Sequence, residues 1–270
     1  MGPTDGRYLL RRPADPANAP PSHVLVLATL GAAERRRRLQ KKSPQAPPEP
    51  EPTPVTTGRV TVVDVGDALT DEAAARAWLD RGGEDELAAG LAVINRALHA
   101  FRVVTADPYV HEIGREQALV ARIGYGAGDE VADGLWSDAR ELSAAHGRRR
   151  RSVILHPQAR LAAALGGHQR VLACEELTLR ARTDIDHDRD REAALQLLVA
   201  LDAALAELPL DPHAASLADR LAELRSRREA VAAAAQKALA GSLDDPSRQL
   251  VADTLGRVEA ALRARAVFSA

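Results

Sequence analysis

The sequence predicts an α+β protein: an N-terminal small sheet with covering helices, followed by an all-α helical C-terminal region with a long antiparallel helical hairpin. Three observations carry this expectation. Short apolar runs bounded by Pro and Gly are concentrated in the first half, whereas leucine and alanine at spacings of three and four dominate the second. Six of the seven aromatic residues precede residue 140, so the second half must build an aliphatic core, the kind that lets helices approach closely. Asp-Pro pairs at 107–108, 211–212 and 245–246 repeat a helix start signal, a capping acid followed by proline at the first helical position. With 270 residues there is room for two modest domains. We place them at 5–147 (α+β) and 152–270 (all-α), with 31–57 as a disordered Pro/Arg-rich insertion.

The elements follow in order. "GRYLLRR" (6–12), "HVLVLATL" (23–30) and "RVTVVDV" (59–65) read as strands. The second is apolar at consecutive positions and is expected at the centre, covered on both faces. Between strands two and three, the six prolines from Pro44 to Pro54 leave little that a core can use. Thr70 then caps a helix that begins with Asp71 and Glu72 and stops at Gly82-Gly83. A second helix, 84–103, carries the stripe Leu87, Leu91, Ile94, Leu98, Phe101. Asp107-Pro108 predicts a short helix to Arg115, and "QALVARIGYG" (117–126) a fourth strand. Pro157 opens a helix closed by Gly166-Gly167. Further helices are expected near 171–183, 189–208, 212–240 and 246–266.

In the longest helix, Leu217, Leu221, Leu224, Arg228, Val231, Ala235 and Ala238 alternate spacings of four and three, a heptad seam interrupted by Arg228. Val251, Leu255, Val258 and Leu262 continue it in the next helix. The short connection at 241–245 favours an intramolecular antiparallel hairpin over an intermolecular coiled coil.

Charge is segregated behind a net value of −2. Residues 1–42 hold nine Arg/Lys and three acids, and residues 57–147 hold eight Arg and sixteen acids. Two arginine runs stand out: Arg35, Arg36, Arg37 and Arg38 in the insertion, and Arg148, Arg149, Arg150 and Arg151 at the domain junction. Each can neutralise phosphates of nucleic acid or an acidic surface, or serve as a solvated tether. Three lysines against 33 arginines match the composition of a GC-rich genome, so the number of arginines is not itself evidence.

One cysteine, Cys174, rules out an intrachain disulfide and a Cys-cluster metal site. Acids at Glu175 and Glu176 argue against an activated thiolate. No uninterrupted apolar run nears the ~20 residues of a membrane span, and a cytoplasmic setting is expected, with no transmembrane segment.

The sharpest local motif is "RIGYGAGDEVADGLW" (122–136), with Gly124, Gly126 and Gly128 at alternate positions. A phosphate-binding loop would place a helix after such glycines, with a lysine or a third fingerprint glycine. Here no lysine is near, the fingerprint's last position is Asp129, and no helix is expected; a strand exit followed by an Asp133-Gly134 turn is the simpler reading. "DIDHDRD" (184–190) spaces acids like a calcium loop, but Arg189 stands where that loop needs glycine and Leu195 where it needs glutamate. "HEIGR" has Arg115 at the second zinc-ligand position. No cofactor is implied.

The expectation is therefore a non-enzymatic interaction or scaffold protein working through its C-terminal helices, by a protein partner or self-association. The alternatives are a nucleic-acid or polyanion-binding protein using the arginine runs, and an enzyme or nucleotide binder centred on 122–136.

Overall fold

The computed structural model describes residues 2–12, 16, 18–30, 57–66, 68–142, 161–167 and 170–268. The insertion 31–56, both arginine runs and the expected helix start at Pro157 lie outside the described residues. Two compact units divide the chain, Met1–Ala145 and His146–Ala270.

The first unit is built on a three-stranded antiparallel meander, β1 (Gly6–Leu10), β2 (His23–Leu30) and β3 (Thr57–Asp64), with β2 in the middle. Register pairs Tyr8 with Leu25 and Leu25 with Val62. Leu25 and Val26, neighbours that point to opposite faces, are both buried, as a strand covered on two sides requires. Helix α1 (Glu72–Arg81) is capped by Asp71, whose carboxylate accepts the Ala74 N–H at 2.8 Å, one residue later than the Thr70 cap expected. It ends where the Gly82 N–H returns to the Trp78 carbonyl. Helix α2 (Glu84–Thr105) follows at once, with the Glu86 carboxylate accepting the Gly83 N–H at 2.5 Å. Those backbone contacts hold the Glu86 carboxyl below its ordinary range.

The short helix expected from Asp107-Pro108 does not form. Asp107 instead closes a turn onto the Tyr109 N–H at 3.0 Å. The buried Asn95 amide of α2 then takes both backbone groups of Ile113, accepting its N–H at 2.8 Å and donating to its carbonyl at 3.0 Å. That bidentate grip draws residues 110–114 out as irregular chain. The expected fourth strand is also shorter. Arg115–Gln117 form a 3-10 turn, and β4 (Arg122–Tyr125) starts only where it pairs with β5 (Asp138–Glu141). Leu79, Ile123 and Leu142 form the buried cluster beneath this hairpin, flanked by Trp78, Leu87 and Tyr125.

The second unit is a four-helix bundle: α4 (Ala173–Asp186), α5 (Asp190–Glu207), α6 (Ala218–Ala240) and α7 (Asp245–Phe268). It is preceded by a helical turn at 161–165, closed by Gly166 and by Gly167 at φ +71°. Side-chain links fix the pairs α4–α5, α5–α6, α6–α7 and α4–α7 as antiparallel, while Arg248 near the start of α7 lies 3.7 Å from Asp190 at the start of α5, the parallel pair. Glu207 reaches the Ala173 and Cys174 N–H groups while Arg189 meets Asp184. Arg191 reaches the Ala238 carbonyl while Arg228 meets Asp202. Lys237 meets Asp244 while Arg257 meets Glu223, and Arg265 meets Glu175 while Arg182 meets Glu259. Helix α5 touches the other three.

The seam residues Leu217, Leu221, Leu224, Val231, Ala235 and Ala238 are buried, as are Val251, Leu255 and Val258 of α7, so the heptad pattern is the inside of an intramolecular hairpin. Arg228 does not interrupt the core. It turns to the α5 side and holds Asp202 through two bonds of 2.8 and 3.0 Å. The α6–α7 corner is capped by Asp244, which accepts the Ser247 N–H at 2.9 Å and places Pro246 in the first turn. At the other corner, Asp211-Pro212 is followed by 3-10 turns, and α6 begins only at Ala218.

Candidate functional site

Two glycines of the 122–136 segment, Gly124 and Gly126, make room for the chain's contact with itself. Gly124 lies in β4 opposite Ala139; a Cβ there would sit 2.7 Å from the Asp138 carbonyl oxygen and 2.8 Å from the Ala139 Cβ. A Cβ on Gly126 would sit 2.6 Å from Cγ2 of Val131. Gly128 has open space around it, but its φ of +55° is left-handed, where a side chain is strained.

The element after these glycines corrects the sequence expectation. It is a helix, α3 (Gly128–Ala132), of 5 residues. Gly134 closes it at φ +84°, with the Leu135 N–H on the Glu130 carbonyl at 2.9 Å and the Gly134 N–H on the Val131 carbonyl at 3.0 Å. These are the paired bonds of a Schellman cap. The Asp-Gly pair thus ends a helix rather than joining two extended pieces. Asp129 and Glu130 fill the first turn of α3, where a phosphate would have to approach. Arg7 of β1 reaches across to Asp129 at 3.0 Å and Asp133 at 2.8 Å. A Cβ on Gly134 would collide with the Arg59 guanidinium, so β3 lays a cation against bare backbone at the end of α3.

In the second unit, the acidic run 184–190 forms the α4–α5 corner. Arg189 occupies it from within, bonded to Asp184 at 2.7 Å with both side chains nearly buried. Asp188 takes φ +55°, and Asp190 lies 3.7 Å from Arg248. Asp188, Asp190, Asp245, Arg248, Ile185 and Leu243 line a depression of about 390 Å³ where this corner meets the α6–α7 corner. Burial pushes the Asp190 carboxyl above its ordinary range, against the pull of Arg248. Among the described residues, no group of three or more His, Cys, Asp or Glu side chains is disposed to hold a metal ion.

The opposite end of the bundle is an ionic lock. The Arg265 side chain, 7% exposed, bonds Asp211 at 2.7 Å and Glu175 at 3.1 Å. Asp211 is held below its ordinary range: Arg265 and the His213 N–H outweigh the cost of its burial. Beside it, Cys174 is fully buried and its thiol is pushed up to about 12, first by burial and then by Glu207. That is the reverse of what a nucleophilic cysteine needs.

Helix α2 differs from all of these. Its predicted stripe, Leu87 to Phe101, is only half-buried, and of its 22 residues only Val93 and Asn95 are buried. The residues it turns to solvent include Ala88, Ala89, Ala92, Ala100, Val103 and Val104. No charged side chain stands between Glu86 and Arg96. By length and mean hydropathy, Glu84–Thr105 (1.3) and Asp190–Leu210 (1.6) are both apolar enough to cross a membrane. In the second, Leu197, Ala200, Leu201 and Ala204 are the centre of the bundle.

Sequence reasoning missed the pairing of Arg7 with Asp129 of α3 and with Asp133 at its end, the Arg59–Gly134 contact and the Arg265 lock. The available signal for Asn95 was a lone amide within an apolar stripe. No protein-family model matches the chain, and neither a curated protein nor a solved structure shows significant similarity to it.

Proposed function

We propose that this chain is a non-enzymatic interaction protein, in which the C-terminal bundle is a self-contained helical scaffold and α2 offers the contact surface. The observation that carries this reading is the contrast between the two units. The bundle consumes its heptad seam internally, leaving that face no capacity for a partner. Helix α2 keeps Ala88, Ala89 and Ala92 in solvent, within a stretch from Leu87 to Asn95 that has no charged side chain, where a solvated helix ordinarily carries charge. Small side chains let a second helix approach closely. The test is light scattering of the full chain over a concentration series, with affinity capture, for the parent and for Ala92→Arg. The substitution is on the exposed face and leaves the core alone. Loss of self-association or of a captured partner in Ala92→Arg supports the proposal; a strict monomer whose captured proteins are unchanged by the substitution overturns it.

The segregation of charge favours a second reading, polyanion binding through Arg35–Arg38 and Arg148–Arg151. Fluorescence anisotropy with labelled DNA and RNA tests it. Binding should weaken steeply with salt and disappear when both runs become alanine; no binding at low salt removes the reading.

A further inference from the structure

We draw no further inference here: the strongest candidate, the depression where the α4–α5 and α6–α7 corners of the bundle meet, is an acidic cluster of Asp188, Asp190 and Asp245 around Arg248, with no buried unpaired side chain among the described residues aimed into it to indicate a ligand.

Discussion

Gly134 and Gly128 separate two reasons for glycine. Both take positive φ, but only Gly134 has a neighbour in the way, the Arg59 guanidinium. Gly128→Ala should cost about 1 kcal/mol through backbone strain alone. Gly134→Ala should cost more, about 2 kcal/mol, because strain and displacement of Arg59 add. Both tryptophans, Trp78 and Trp136, lie in the first unit. Fluorescence-detected urea unfolding therefore reads these costs without signal from the bundle, and equal losses would refute the Arg59 contribution. Thr254 makes the converse case. Its hydroxyl is fully buried in α7 and has no hydrogen-bond partner. Thr254→Val should raise the thermal midpoint of the bundle, by a gain of about 1 kcal/mol; a fall in the midpoint, followed by circular dichroism, would contradict this. Gly134 was legible in the sequence as half of an Asp-Gly turn pair. Gly124 and Gly126 were legible only as unusual, because what they make room for, Ala139 and Val131, is fixed by pairing and packing rather than by spacing.

At the scale of elements, caps and periodicity held where an element's own residues decide its fate and lapsed where a distant partner does. The caps expected at Thr70 and Asp245 fall one residue away, at Asp71 and Asp244, while Gly82-Gly83 and the leucine spacings of α6 and α7 are local signals that the structure follows to within a few residues. Asp107-Pro108 is an equally good local signal, yet no helix follows, because Asn95 holds the Ile113 backbone 18 residues away. Strand β5, "DARE", gave no signal at all: every residue is exposed, so no alternation marks it. The apolar stripe of α2 was legible, but sequence patterning reports an apolar face and not whether anything covers it. The Asn95 grip has a measurable consequence. Asn95→Ala leaves the Ile113 N–H and carbonyl without their partners and should cost about 2–3 kcal/mol. Hydrogen exchange should speed up first in residues 106–115, while the β1–β2–β3 ladder keeps its protection; uniform loss across the unit would show that the grip is not local.

For the whole molecule, fold class was readable because composition itself changes along the chain, from aromatic and β-branched to Ala/Leu. The candidate surface was not, since exposure is a property of the assembled unit. The bundle's ionic end predicts an acid-sensitive unit. Asp211 and Glu207 are both held below their ordinary carboxyl ranges, so the stability they confer is complete above the unfolded values and is lost as pH falls below about 4. Asp190, raised by burial, works in the opposite sense and offsets part of that slope. Asp211→Asn should destabilise the bundle by about 3 kcal/mol at neutral pH, the cost of leaving one side of a buried pair unmatched. The difference from the parent should shrink toward pH 3, as urea midpoints by circular dichroism would show; a penalty independent of pH would mean that packing, not charge, is what Asp211 supplies. The bond from Arg265 to Glu175 has a different consequence. It joins the last helix of the bundle to the first, so four antiparallel pairs close a ring, crossed by the α5–α7 contact, in which the covalent chain supplies three of four links. The ring has no intrinsic beginning. A circular permutant that tethers the end of α7 to the start of α4 and is cut at 241–244 would preserve every neighbour, exchanging only which corner is left open.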